Sequence, residues 1–301
     1  MNKYIIFRTD RIGDFLLTLI LIKCIKRNDK YSHITVISSN KNHEYIKTFD
    51  LVDKVYILKS DYLSKYKLIK KLRQSKFNFS IIHDGKNRSF FINFFLNKLK
   101  TLKVDNNDIS ISHYAKIKKI LKILNFELKN NDLNTLDNRF LEFKDLKRHK
   151  YLIFHFDEKW SKKFYISDYK NIEPSEIQLL KFLMNLKSIV NHNIIITTGL
   201  NTPLILKNVI SKINDDKIEL FENLNFLELE YLVSNSNLII SCHGAISHVA
   251  SAHQIKQIDI IDTNIRNPYI NWTDHFRNYY YIYRNDFEIL SKKIYELIKD
   301  C

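Results

Sequence analysis

Glycine is scarce in this chain, with four in 301 residues, and proline scarcer, with three. Four glycines cannot supply a repeated glycine-rich phosphate loop, and no G-x-G-x-x-G or G-x-x-x-x-G-K-[ST] string occurs. The three cysteines, Cys24, Cys242 and Cys301, are odd in number and far apart, with no C-x-x-C. They suggest neither a disulfide framework nor a zinc site, and a reducing cytoplasm suits them. There is no H-E-x-x-H, and no two aspartates stand as D-x-D, so no metal and no cofactor is expected. The longest early apolar run, Phe15–Ile22, is too short to span a bilayer and lacks a following small-residue cleavage site. It reads as a buried helix.

What is abundant is lysine, and the formal net charge is +15. A basic balance favours anionic partners such as nucleotides, phosphorylated glycans or acidic lipid. Lys, Asn and Ile abound throughout, so part of that charge is compositional. No helix-turn-helix, RNA-binding or zinc signature accompanies it, which argues against nucleic acid. Hydrophobic residues make up 45% of the chain, enough for two cores at this length.

Strand and helix patterns alternate from end to end. Tyr4–Arg8, His33–Ser38, Val55–Leu58 and Phe79–His83 read as strands, with helices at 14–26, 41–49 and 62–74. Arg88–Leu99 is apolar nearly all round and reads as a buried helix. Tyr114–Leu124 puts Ile117, Ile120, Leu121 and Leu124 on one face. Lys116, Lys118, Lys119 and Lys122 form a basic stripe toward the other, a candidate contact with anionic membrane. Periodicity fades over 130–150, the expected linker. A second series follows, with strands at 151–156, 193–198, 217–220, 238–241 and 257–261, and Asn225 with Glu228 spaced as a capping box. This implies two α/β domains with parallel sheets: 1–145, 146–285, and a closing helix at 286–301 returning toward the first.

Ligands of such sheets bind beyond the carboxyl ends of strands, so the loops there carry the chemistry. The first is Arg8-Thr9-Asp10-Arg11-Ile12-Gly13-Asp14. Gly13 permits a tight turn, and Asp14 opens a helix, where an acid is also favoured simply as a cap. The second is Ser241-Cys242-His243-Gly244-Ala245-Ile246-Ser247-His248. Small residues there allow a phosphate to approach a helix N-terminus, and two histidines are placed to donate. The third is Phe154-His155-Phe156-Asp157-Glu158-Lys159-Trp160, where Lys159 can meet a phosphate as a point charge.

These segments resemble the heptosyltransferases, glycosyltransferase family nine. The 8–14 loop followed by Leu16, Leu17 and Thr18 is similar to that family's opening, and Leu227–Ala252 to its donor-site segment, with His248 matching the family's histidine. Glu158-Lys159-Trp160 is more weakly similar. The resemblance implies a GT-B fold, two Rossmann-like domains facing a central cleft. The first would take a glycan or glycolipid acceptor, with Asp14 as catalytic base and Arg11 and Gly13 nearby. The second would take a nucleotide-sugar donor through Lys159, His243, Gly244, Ala245 and His248. Transfer would be inverting and metal-independent, in the cytoplasm or at the inner face of the membrane, in lipopolysaccharide or other surface-glycan synthesis. The chain departs from the pattern at His243, where the family is acidic, at Gly244-Ala245, where it has Ser-Gly, and at Ile246, where it has Pro. The alternatives are a degenerate nucleotide-binding member without transfer activity and a basic nucleic-acid-binding protein.

Overall fold

A computed structural model of the chain describes residues 1–104, 110–136, 151–160, 169–263 and 269–299. It divides into two compact units, one of residues 1–135 with 270–275, the other of residues 136–269 with 276–301. Most of the expected linker, 137–150, lies outside the described residues, as does Cys301.

The first unit is built from β1 (Lys3–Phe7), α1 (Ile12–Asn28), β2 (His33–Ser38), α2 (His43–Lys47), β3 (Lys54–Ile57), α3 (Tyr62–Leu72), β4 (Phe77–Ile82), α4 (Asn87–Phe94), β5 (Lys98–Lys103) and α5 (His113–Ile123). Its sheet is wholly parallel, in the order β3-β2-β1-β4-β5. The order reverses between β1 and β4, and the loops after those strands diverge to leave a crevice. Ile5, Phe7, Ile37, Ile82 and Ile92 belong to one buried core cluster. Helix α1 is buried from Phe15 to Ile22, as its apolar run requires.

The second unit holds β6 (Tyr151–His155), α6 (Glu176–Ile189), β7 (Asn193–Thr197), α7 (Leu204–Ile210), β8 (Ile218–Phe221), α8 (Phe226–Ser234), β9 (Leu238–Cys242), α9 (Ala245–Ala252), β10 (Lys256–Ile261), β11 (Tyr279–Tyr283) and α11 (Phe287–Lys299). The short helix α10 (Ile270–Thr273) belongs to the first unit. The second sheet is parallel too, in the order β11-β10-β9-β6-β7-β8, with its reversal between β6 and β9. Helix α8 starts at the capping box read from the sequence: Asn225 Oδ1 accepts from the Leu227 and Glu228 amides, and Glu228 accepts from the Asn225 amide at 2.8 Å.

Several expectations are corrected. The apolar stretch 88–99 is not one buried helix. Helix α4 ends at Phe94, and Lys98–Lys103 forms an edge strand. Phe91, Phe94 and Phe95 are exposed. An edge strand of alternating lysines pairs on one side only, so it carries little of the apolar signal that marks central strands. The lysine stripe on α5 is broken, because Lys116 is buried among the residues that pack that helix. Gly13 is not in a turn before the helix. Helix α1 begins at Ile12, which places Gly13 within its first turn, and Gly85 is the one described glycine with positive φ. Helix α11 places Phe287, Leu290 and Ile294 in the second unit's core.

Candidate functional site

Both loops flagged after β1 and β9 lie at the crevices where strand order reverses. In the first unit, Arg8 is buried at the end of β1. Its Nε donates to Thr18 Oγ1 at 2.7 Å and its guanidinium to Asp10 at 3.0 Å. Thr18 also bonds His83 Nδ1 at 2.8 Å. Burial lowers the Arg8 pKa from its ordinary value, and the Asp14 and Asp84 carboxylates work against that shift. His83 is held well below the usual histidine range by its own burial and by Arg8, so it is neutral. Asp84 receives the Thr9 hydroxyl at 2.5 Å and the Ser89 hydroxyl at 2.7 Å. Arg88 donates to the Thr9 carbonyl at 2.7 Å. These bonds fix the 8–11 loop without using Asp14.

Asp14 sits at the third position of α1, where its carboxylate accepts from the Arg11 amide at 3.1 Å. It is therefore the cap that the sequence allowed, and it also faces solvent-filled space. Asp14, Arg11, Asp10, Lys86 and Arg88 line a cavity of about 810 Å³, together with Lys41 and Lys59–Asp61. The neighbouring Asp10 is gripped between Arg8 and Lys86. Lys86 and Arg88 went unread in the sequence. The signal that finds them is the rule already applied to β1, since both follow the neighbouring strand β4.

In the second unit, Lys159 stands on a short helical turn, Glu158–Trp160. That turn is anchored from three directions. The Trp160 indole is buried and donates to the His155 carbonyl at 2.9 Å. Arg284 donates to the Lys159 carbonyl at 2.6 Å, and Asp157 accepts the Lys159 amide at 3.1 Å. The Lys159 ammonium pairs with Asp157 at 2.5 Å, and His155 Nε2 lies 3.4 Å from the same carboxylate. Burial alone would raise the Asp157 pKa. The nearby Lys159 and His155 outweigh it and hold that carboxyl well below the usual carboxylate range.

Gly244 caps α9, and the chain there is extended, with φ of −178°. Any residue could adopt that backbone. What glycine supplies is room, because a Cβ at 244 would stand 2.5 Å from Lys159 Nζ. The structure thus brings Lys159, Gly244 and Ala245 together at the start of one helix. His243 Nδ1 is bonded to Asp259 at 2.6 Å. Asp259 also accepts from Ser247 at 2.9 Å and from Tyr279 at 3.0 Å. The His243 and His248 ring centroids are 5.5 Å apart, and His248 is buried edge-on to Phe276. The carboxylate of Asp259, from the adjacent strand β10, thus stands beside His243. Asp259 could have been suspected from a carboxylate inside the otherwise apolar string Gln257–Ile261.

No protein-family model matches the sequence, and no curated protein matches it. Solved structures do. E. coli heptosyltransferase WaaC with ADP aligns at a TM-score of 0.78 and 11% identity, covering 99% of each chain. The chain has the GT-B fold of the heptosyltransferases. A glycosyl transferase family 9 protein from Veillonella parvula aligns at 0.68 and 11% identity, over 99% of this chain and 89% of that one. The GT-B fold also serves other chemistry, since a UDP-GlcNAc 2-epimerase from Methanocaldococcus jannaschii aligns at 0.61 and 12% identity, over 100% of this chain and 92% of that one. At such identities the likeness is one of fold, and function must be argued from the residues. Among the described residues no helix is long and apolar enough to cross a membrane.

Proposed function

We propose that the chain is a glycosyltransferase that takes a nucleotide-sugar in its second unit and a surface-glycan acceptor in its first, inverting the anomeric centre without a metal. The observation that carries this is the approach of Lys159 to Gly244 at the start of α9. A cation and the amino-terminal end of a helix converge there beside a residue without a side chain, which is what a diphosphate leaving group needs. His243 and His248 flank the same turn. The heptosyltransferase and family 9 neighbours support the transferase class, and the WaaC structure with ADP supports a nucleotide donor.

In the proposed reaction the acceptor oxygen bonds to the anomeric carbon as that carbon's bond to the diphosphate oxygen breaks. The acceptor proton passes to Asp14, and the charge that develops on the diphosphate is met by Lys159 and the α9 amides. Asp14 suits the base better than Asp10, which is already committed to two cations. Heptose is the sugar the neighbours suggest, and lipopolysaccharide the setting.

A thermal-shift screen of nucleoside diphosphates and nucleotide-sugars tests the donor half. A true donor raises the melting temperature by mass action, the shift growing with the logarithm of its concentration above Kd, and Lys159→Ala should abolish the shift. A panel in which no nucleotide stabilises the protein overturns the reading.

A further inference from the structure

Helix α3 exposes apolar surface that its own unit does not use. Leu68 and Leu72 face the core, with Ile69 packed against it. At the opposite, amino-terminal end, Tyr62 is 86%, Leu63 63% and Tyr66 64% exposed. Tyr62 and Tyr66 are four residues apart and so share a helix face. Three large apolar or aromatic side chains exposed within five residues of one helix gather the kind of surface that marks a contact site.

The surrounding charge identifies the contact. Between residues 59 and 76 there are seven lysines and arginines and one acid, Asp61. That acid is occupied as the helix cap, accepting from the Ser64 amide at 2.7 Å. Lys65 lies over the Tyr62 ring, 5.1 Å from its centroid, and Lys59, Lys67 and Lys70 are exposed. Amphipathic aromatics beside lysines, with no carboxylate left free among them, complement an anionic lipid surface. The patch is also continuous with the cavity of the first unit. Lys59, Ser60 and Asp61 line that cavity, and Tyr62 is the next residue.

We infer that the amino-terminal face of α3 seats on an anionic lipid bilayer, so that the cavity it borders opens at the membrane surface. The surface itself stands on exposure and charge. That it serves a membrane-borne acceptor rests on the transferase reading. A second exposed cluster, Phe91, Phe94 and Phe95, with rings 5.2 Å apart, lies where α4 runs back to the amino end of β5. That is the end of the sheet away from the cavity, and it has no such continuity with it.

The test is flotation of the full chain with phosphatidylglycerol–phosphatidylcholine vesicles and with pure phosphatidylcholine vesicles. The parent should bind the first and leave the second, and salt of about 0.5 M should release it. Tyr62→Ser/Leu63→Ser/Tyr66→Ser should weaken partitioning about tenfold or more. Phe91→Ser/Phe94→Ser should leave it unchanged. Equal binding of the triple variant and the parent overturns the inference. So does loss that follows the α4 variant, or a parent dimer that the triple variant dissolves, which would make the face an interface between copies. Nucleotide titration of the same variants separates the two claims. A chain that floats as expected but binds no nucleotide keeps the membrane face and loses the transferase.

Discussion

Gly244→Ala perturbs the donor site by one methyl group. The new Cβ would fall 2.5 Å from Lys159 Nζ and 3.1 Å from its Cε. Comfortable contact needs roughly 3.5 Å, so the ammonium must retreat by about 1 Å. The fold should tolerate this. The backbone at 244 is extended and accepts alanine, and the atom displaced is the far end of a flexible side chain. Binding should not tolerate it. At an effective dielectric of about 20, moving a unit charge from about 3 to about 4 Å from a phosphate oxygen loses about 1.4 kcal/mol. That is about tenfold in affinity. Calorimetric titration with ADP should therefore show a Kd about tenfold weaker, with the melting temperature of the free protein nearly unchanged. In a Lys159→Ala background the same substitution should cost almost nothing, because the two act through one contact. An unchanged Kd in Gly244→Ala would refute the placement of the phosphate. Additive losses in the double variant would refute the mechanism.

Asp14→Asn should lower turnover by about 10² or more with nucleotide affinity intact, measured by steady-state and binding assays together. Asp10→Asn should instead destabilise the fold, by about 3 kcal/mol or more in urea denaturation, because it strips a partner from the buried Arg8. Acid should weaken both units. His113 is lowered to about 4 by burial and by Arg8 and Lys116, and burial and Arg8 hold His83 well below its ordinary value. The unfolded chain takes up those protons near pH 6.5 while the folded one does not, so stability is full above about 6.5 and falls toward 4. Asp157 acts lower. Its folded carboxyl is depressed, so its contribution is full above about pH 4 and is lost as pH falls below that, and Asp157→Asn should flatten this limb. Transfer should survive excess EDTA, and activity restored only by magnesium or manganese would contradict the metal-free account.

What the sequence disclosed follows the strength of the apolar pattern. Strand β1, helix α1 and the β9–α9 turn are central, and central elements are apolar on more than one side. Strands β5 and β11 are rich in lysine and tyrosine rather than aliphatic residues, so neither reads as a strand, whereas β3 and β8, also at sheet edges, do. Individual site residues were legible where they follow strands in an unusual string, as at 8–14 and 243–248. Their partners were not. Lys86 reaches Asp10 from 76 positions away and Arg284 reaches the Lys159 carbonyl from 125, and no local pattern announces either contact. His243 looked like a free phosphate ligand in the sequence, because its tie to Asp259 depends on the register between β9 and β10.

The central claim is transfer of a sugar from a nucleotide, and the GT-B fold alone is compatible with epimerisation as well. Proton and phosphorus NMR of a nucleotide-sugar incubated with the protein and a glycolipid acceptor separates these directly. Sugar transfer predicts release of free nucleoside diphosphate together with a new glycosidic anomeric signal of inverted configuration, both lost in Asp14→Asn. A donor recovered intact, or recovered as its epimer still joined to the nucleotide, would contradict it.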